Sequence, residues 1–408
     1  MKIKGCISLL AIVLCTFTVG LPGVSAEDGT DDNNFTISPD SETYNNNMMN
    51  FSTYNNYTKH YYLIRSYLEE LEERQGGTLV LEAGTYTISN TLFVPSDVTI
   101  KFSDGVIIKK GNKTGTNQFD AASSIFQLIR PSLSKSEGVY GGYDGEKNIS
   151  FIGEGTVTID LDFFQDGIAI IAGHNQAVSI ENIKFINMYS GHFIEIDATK
   201  DAVIKNNSFS NSRKSSKINK EAINIDTPDA STEGWSQKWS TYDKTPNMNL
   251  TIENNSFYNL DRAIGTHQYS GGKYHENIVV RNNKIEKMRS DAIRVMNWSD
   301  STIKNNTIKN VANGKKDDRG ILASGALNPT YRKNTFKKVA RPMQFMPFKN
   351  IGRGSEYPIT YNKLSKANKQ NLKDNKAIRT TEKFIRINKK YNVFDKYTEK
   401  IYLNCCPD

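Results

Sequence analysis

The sequence predicts an all-β solenoid of stacked parallel coils entered through one amphipathic helix. Three observations predict it: an Asn-rich motif that returns at regular intervals, a second strand-like repeat just upstream of each copy, and a switch from helical to alternating periodicity at Gly77.

The chain opens with Met1-Lys-Ile-Lys, an apolar run from Ile7 to Leu14 and the small-residue pattern Val24-Ser-Ala26, which reads as a secretory signal peptide over residues 1–26. No later segment reaches the roughly 20 apolar residues of a membrane-spanning helix, so no membrane span is expected. Cys6 and Cys15 fall within the removable segment, leaving Cys405 and Cys406, adjacent and without spaced partners for a staple or a zinc site. The fold must therefore be held by packing.

Residues 27–56 are rich in Asn and Ser with little regular apolar content and read as a flexible linker. From His60 the apolar residues Leu63, Ile64, Leu68 and Leu71 recur at helical spacing until Gly76-Gly77 ends the run. Beyond it, Thr78–Leu81, Tyr86–Ile88 and Val98–Phe102 alternate apolar and polar residues between Gly, Asp and Asn breaks, as short strands do.

The repeat is plain in Val178-Ser-Ile-Glu-Asn-Ile-Lys-Phe185, Val203-Ile-Lys-Asn-Asn-Ser-Phe209, Leu250-Thr-Ile-Glu-Asn-Asn-Ser-Phe257, Ile278-Val-Val-Arg-Asn-Asn-Lys-Ile285 and Thr302-Ile-Lys-Asn-Asn-Thr-Ile308. Degenerate copies end at Phe336 and Leu364. Successive closing residues are 24, 48, 28, 23, 28 and 28 apart, the 48 being two coils of 24. Short strands at this period, with no helix between them, describe a solenoid with a stacked Ile, Val and Phe core. The column Asn182, Asn206, Asn254, Asn282 and Asn305 is expected at the bend between strands, in left-handed geometry and hydrogen-bonded to its own copies.

The leading helix, the run Gly76-Gly-Thr-Leu-Val-Leu-Glu-Ala-Gly-Thr-Tyr-Thr-Ile88 and the Asn-Asn-x-Phe coils resemble the pectate-lyase-like superfamily of secreted proteins. The resemblance covers roughly residues 57–370. It implies a single-stranded right-handed parallel β-helix with an N-terminal capping helix, here expected over residues 57–378, with 379–408 as a C-terminal cap or tail. It specifies fold better than chemistry, since the superfamily includes lyases, hydrolases, epimerases, esterases and phage tail-spikes.

The second repeat aligns on a central Ile in His192-Phe-Ile194, Glu221-Ala-Ile223, Arg262-Ala-Ile264, Asp291-Ala-Ile293 and Arg319-Gly-Ile321, with Asp166-Gly-Ile168 as an earlier copy. Side chains alternate in a strand, so positions one and three after each Ile point outward. The first column reads Glu195, Asn224, Gly265, Arg294 and Leu322; the second reads Asp197, Asp226, His267, Met296 and Ser324. With coils about 4.8 Å apart, Asp197, Asp226, His267 and Arg294 gather into one candidate catalytic cluster suited to acid–base work on a glycosidic bond. A small column, Ala222, Ala263, Ala292 and Gly320, is expected to leave an open floor beside it. Asp166, His192, Glu221, Arg262, Asp291 and Arg319 alternate in sign as a ladder of ion pairs, with His192 and Glu221 in reach of the groove.

Loops on the same side carry Trp235, Trp239 and Tyr242, then Lys273 and His275, with Trp298 after the Arg294 strand. These are candidate substrate contacts, together with Glu195, Glu221 and His192: indoles stack on sugar faces and Lys binds carboxylates. A formal charge of +8 suits an acidic polysaccharide, which for an exported protein leads over nucleic acid.

Acid, acid, His and Arg on successive coils resemble the polygalacturonases, and this implies hydrolysis without a required cofactor. The chain departs from that pattern in having Thr227-Pro228-Asp229 after Asp226 and Gly265-Thr-His267-Gln in place of Gly-His-Gly. A competing resemblance to Ca-dependent pectate lyases implies Ca²⁺ on Glu195, Asp197 and Asp226, with Arg294 or His267 as base. The residues lean to hydrolysis. A lyase and a non-catalytic glycan-binding adhesin or tail-spike-like module are the alternatives.

Overall fold

The computed structural model describes residues 33–405 except 233–234, 268, 313–317, 350, 353–354, 357–358 and 392–397. The expected signal peptide and Cys406 lie outside the described residues.

The chain is a parallel β-helix. Each coil contributes one strand to each of three long sheets, as in Gln176–Glu181, Lys184–Met188 and His192–Asp197, before the next coil begins at Val203–Lys205. The first sheet has ten strands and the other two eleven each among the described residues. Inward positions are filled by Ile180, Phe185, Ile194, Ile196 and their counterparts, all buried. Phe185, Phe209 and Phe257 stack with ring centroids 4.9 Å apart, which is the rise of one coil. Each such side chain contributes roughly 1.5–3 kcal/mol by leaving water.

Between the first and second sheets, Asn182, Asn206, Asn254, Asn282 and Asn305 have φ between 56° and 59°, the left-handed geometry expected of them. The hydrogen-bonded ladder is built by the next residue instead. Asn207, Asn255, Asn283, Asn306, Asn334 and Asn375 are buried, and the backbone N–H of each of the first five donates to the side-chain oxygen of the next Asn in the series, as Asn283 does to Asn306 at 3.0 Å. The left-handed residue turns the chain so that its successor points inward, where a polar side chain is tolerated only fully bonded.

The helix Lys59–Glu73 lies against the first coil and buries Leu63, Ile64, Leu68 and Leu71. Ahead of it the structure corrects the expected linker from Asn33 onward. Asn34–Ile37 pairs in parallel with Gly77–Leu81 as an added strand, and Phe35, Tyr44 and Tyr67 make three edge-to-face contacts at 5.3–5.6 Å. Sparse aromatics, rather than a periodic stripe, order this segment.

Two register assignments also change. Ile170, not Ile168, stands beside Ile194, and Ile168 takes the place beside His192; a shift of two residues preserves the face of a strand, so alternation alone does not separate the two. Asp166 therefore leaves the ion-pair column and accepts a hydrogen bond from Ser190. At the far end Ala377, not Leu364, follows Phe336 in the stack, because the helix Lys366–Leu372 intervenes before Asn375 resumes the ladder. The solenoid runs past residue 378: Phe384–Ile387 joins the third sheet, and Glu399–Tyr402 closes it with an antiparallel pairing.

Candidate active site

The third sheet places the outward columns as read. Ile194, Ile223, Ile264, Ile293 and Ile321 are paired in succession, which sets Glu195 beside Asn224, Asp197 beside Asp226, and Gly265 beside Arg294. His267 lies just past the strand Arg262–Gly265, and its backbone N–H donates to Asp226 Oδ1 at 3.1 Å. Its ring Nδ1 faces three oxygens: Glu221 Oε2 and Asn224 Oδ1 at 3.1 Å, and Asp226 Oδ2 at 3.5 Å. Asn224, absent from the expected site, also donates to Asp226 Oδ2 at 3.1 Å. Its place in the outward column was the available signal.

Burial sets the protonation. Asp197 is 0 % exposed and, among the described residues, neither of its side-chain oxygens has a hydrogen-bond partner. Burial first, then Glu195 and Asp226, push its carboxyl well above the ordinary range. Glu195, 7 % exposed, is pushed up to about 8 by burial and then by Asp226. Glu221 goes the other way: burial opposes its charge, but Arg262 and His267 outweigh that and hold it below the usual range. His267 is raised, since Asp226 and Glu221 more than offset the cost of burying a cation. His192 stacks on His267 at 5.6 Å and is lowered to about 3 by burial, then by His267 itself.

The expected ion-pair column is present at Glu221–Arg262 and Asp291–Arg319, 2.5 and 3.4 Å apart. Glu221 is fully buried and faces the His267 ring from inside the protein. His192 is likewise buried and donates from its ring to the Glu221 carbonyl oxygen. Arg294 is half-buried, stands 5.4 Å from the Phe348 ring and is lowered to about 10, chiefly by burial and then Arg262. No sequence signal pointed to Phe348, which comes from a loop outside the repeat.

Several expected contacts are corrected. Trp235 and Trp239 are 4 % and 2 % exposed and pack with Ile129, Tyr140 and Ile171, with half-buried Tyr242 against them. They cover the coil before the acids, where a Cβ on Gly173 would meet Trp235 at 2.5 Å. Trp298 is buried with its N–H on Thr266 Oγ1, and His275 is buried accepting the Asn247 N–H. Lys273 is exposed on its loop. Ala222, Ala263 and Ala292 belong to the core, and a Cβ on Gly320 would strike Phe336 at 2.5 Å, so this column points inward and forms no floor. The strand bends where it leaves the second sheet, sending two successive residues inside.

Solvent reaches the cluster at His267, through a cleft of about 420 Å³ lined by Asp166, Tyr189, Lys217 and Lys220 among others. Among the described residues, the three-residue group whose ligand atoms lie within 4.8 Å of one another is His192, Glu221 and His267. The carboxylates expected to hold Ca²⁺ do not converge in this way, and Ca²⁺ takes six to eight oxygens. The donor set as placed does not fit that ion.

A family described as "Right handed beta helix region" matches residues 243–394. The chain folds as a right-handed parallel β-helix. This β-helix is 25 % identical over 288 residues to "Plasmin and fibronectin-binding protein A" of Streptococcus pneumoniae, a match covering 64 % of this chain. The chain spans only 38 % of that relative's length. Two solved structures of the S. pneumoniae surface adhesin PfbA are similar, at 20 % and 18 % identity and TM-scores of 0.55 and 0.57. They cover 81 % and 80 % of this chain, which covers 76 % and 83 % of theirs, and at that identity they speak to the fold alone. Among the described residues no helix is long and apolar enough to cross a membrane.

Proposed function

We propose that this β-helix is an exported carbohydrate-active protein that hydrolyses glycosidic bonds of an acidic polysaccharide at the Glu195, Asp226 and His267 cluster. The observation that carries the reading is the contrast in environment between Glu195, held protonated up to about 8, and Asp226, which accepts N–H bonds from His267 and Asn224. A carboxyl kept neutral beside a hydrogen-bonded carboxylate supplies an acid and a base at one pH.

Glu195 and Asp226 lie on adjacent strands, two positions out of register. A strand spacing of about 4.8 Å and a rise of about 3.3 Å per residue put their backbones roughly 8 Å apart. We take the carboxyl groups to keep that spacing, which would leave room for a water between acid and base, the inverting arrangement. In this mechanism Glu195 protonates the leaving oxygen and Asp226 takes a proton from the attacking water. His267, cationic between Glu221 and Asp226, offsets the negative charge around Asp226, and Lys217 and Lys220 attract the polymer to the cleft.

The test is incubation with polygalacturonate, alginate, hyaluronan and chondroitin sulfate, following new reducing ends and near-ultraviolet absorbance. Reducing ends without absorbance, lost in Glu195→Gln and Asp226→Asn, support hydrolysis. An absorbing unsaturated product that disappears with a chelator supports the lyase alternative and overturns this mechanism.

A second reading is favoured by the complete burial of Asp197 and Asp226 and by the name of the streptococcal relative. On it the protein is a surface adhesin that binds glycan or protein without turnover. Binding retained in both variants, with no product from any polymer, selects it.

A further inference from the structure

The charge on the other two sheets is unevenly spread. In the C-terminal half, the outward column of the first sheet reads Arg281, Lys304 and Arg332 on three consecutive coils, paired in register. Across the Asn corner, exposed Lys333 follows Arg332, and Lys309 and Lys337 stand side by side on the second sheet. Arg281 and Lys309 are paired with Glu253 and Glu286. Among the described residues, Lys304, Arg332, Lys333 and Lys337 have no carboxylate within ion-pair distance.

Four unpaired cations on two adjacent coils, flanked by two more, are costly by mutual repulsion and are not needed to form the sheets. Earlier coils do not repeat the pattern, since Glu181 and Lys205 alternate in the same column as an ion pair. The positions between the cations are Thr and Asn: Thr302, Thr307, Asn305, Thr330 and Thr335.

We propose that this ridge is a second binding surface, for an acidic polysaccharide strand, separate from the third-sheet cluster. The cations recur at the coil spacing of about 4.8 Å, so an extended polyanion lying along the solenoid axis meets one at every step. The interleaved hydroxyls and amides suit sugar hydroxyls. Single-stranded nucleic acid engages aromatic platforms for its bases, and these columns hold none at the cationic coils, so a glycan fits better than a nucleic acid. The ridge does not depend on the hydrolytic reading. It anchors a polymer whether or not the cluster cleaves it.

The experiment measures binding of the full chain to immobilised heparin and polygalacturonate across a salt series. The variants are Arg332→Glu/Lys333→Glu/Lys337→Glu, its milder counterpart with Gln at the same three positions, and Lys101→Glu/Lys184→Glu/Lys205→Glu in the earlier coils as a control of equal charge change. Circular dichroism verifies folding, and the Gln variant serves if the Glu variant does not fold. The expected result is on the order of tenfold weaker binding and a shallower salt dependence for the ridge variants, through fewer released counterions, with the control close to the parent. Equal loss in ridge and control variants would mean attraction by net charge alone and would overturn the proposal. So would unchanged binding in both ridge variants, or duplex DNA binding more tightly than either glycan. Because cleavage is read separately, loss of activity in the Glu195 variant leaves this outcome unaffected.

Discussion

The imidazole of His267 stands 3.1 Å from the Glu221 carboxylate, which the Arg262 guanidinium holds from the other side at 2.5 Å. This buried relay ties the exposed edge of the site to the interior ladder, and it favours the protonated form of His267. Replacing His267 by Ala removes the ring that faces Asp226 while leaving the strands intact. On the hydrolytic reading, activity falls about 10²- to 10³-fold with an unchanged circular dichroism spectrum. Full activity in that variant would remove His267 from the site.

Arg262→Ala acts on folding instead. It leaves Glu221 charged and buried with its main partner gone, a situation that costs about 3–5 kcal/mol. Denaturant unfolding should show a loss of that size, whereas Glu221→Gln/Arg262→Met, which removes both charges, should recover much of it. A double variant as unstable as the single one would mean that packing, not charge, dominates here.

The contributions of His267 and Glu195 to stability should fall as pH rises. His267 binds its proton more tightly in the folded protein than in the unfolded chain, so its contribution is complete below pH 6.5 and is lost as pH climbs through the higher folded value. Glu195 acts in the same direction, because its neutral form is favoured in the fold: stability declines between 4.5, its ordinary value, and about 8, then levels. Glu195→Gln cannot ionise and should flatten this profile, raising Tm at pH 9 by roughly a few degrees while leaving it unchanged at pH 4. A parallel downward shift at every pH would mean that the carboxyl is needed for packing rather than titrating.

The Asn ladder makes a separate demand. Asn306 Oδ1 accepts the Asn283 N–H at 3.0 Å and its Nδ2 donates to the Val280 carbonyl oxygen at 3.0 Å. Asn306→Ala strands both buried groups, each at a cost of about 1–3 kcal/mol. Chemical denaturation should show that loss, while Asn305→Ala, at the left-handed corner, should cost about 1–2 kcal/mol through backbone strain alone.

What could be read from the chain beforehand divides along physical lines. The stacking of Ile194, Ile223, Ile264 and Ile293 was legible because period-two alternation and a repeated coil length constrain register together. Asp197, Asp226 and His267 followed from it. The distinction between Asn206 and Asn207 as corner and ladder was not legible, since the two are adjacent and identical and differ in φ. The direction of Ala222 was missed because a strand that bends at a corner breaks alternation for one step. The cover over the site, from Trp235 and Phe348, comes from non-repeating loops whose contacts no periodicity encodes.

Trp235 and Trp239 pack into the protein rather than toward the cleft. Trp239 donates its indole N–H to Gln127 Oε1 at 3.0 Å and meets Trp235 edge to face at 5.3 Å, both rings lying against Ile129 and Ile171. An indole so placed offers no free face to a sugar, so its removal should act through the cavity it leaves. Trp239→Ala should cost about 3–5 kcal/mol of stability, with Trp239→Phe recovering part of it, and the native fluorescence should resist quenching by iodide. If the glycan affinity or KM of the folded Trp239→Phe protein changes by tenfold while its Tm does not, the indole serves the ligand directly, and the loop must open to present it.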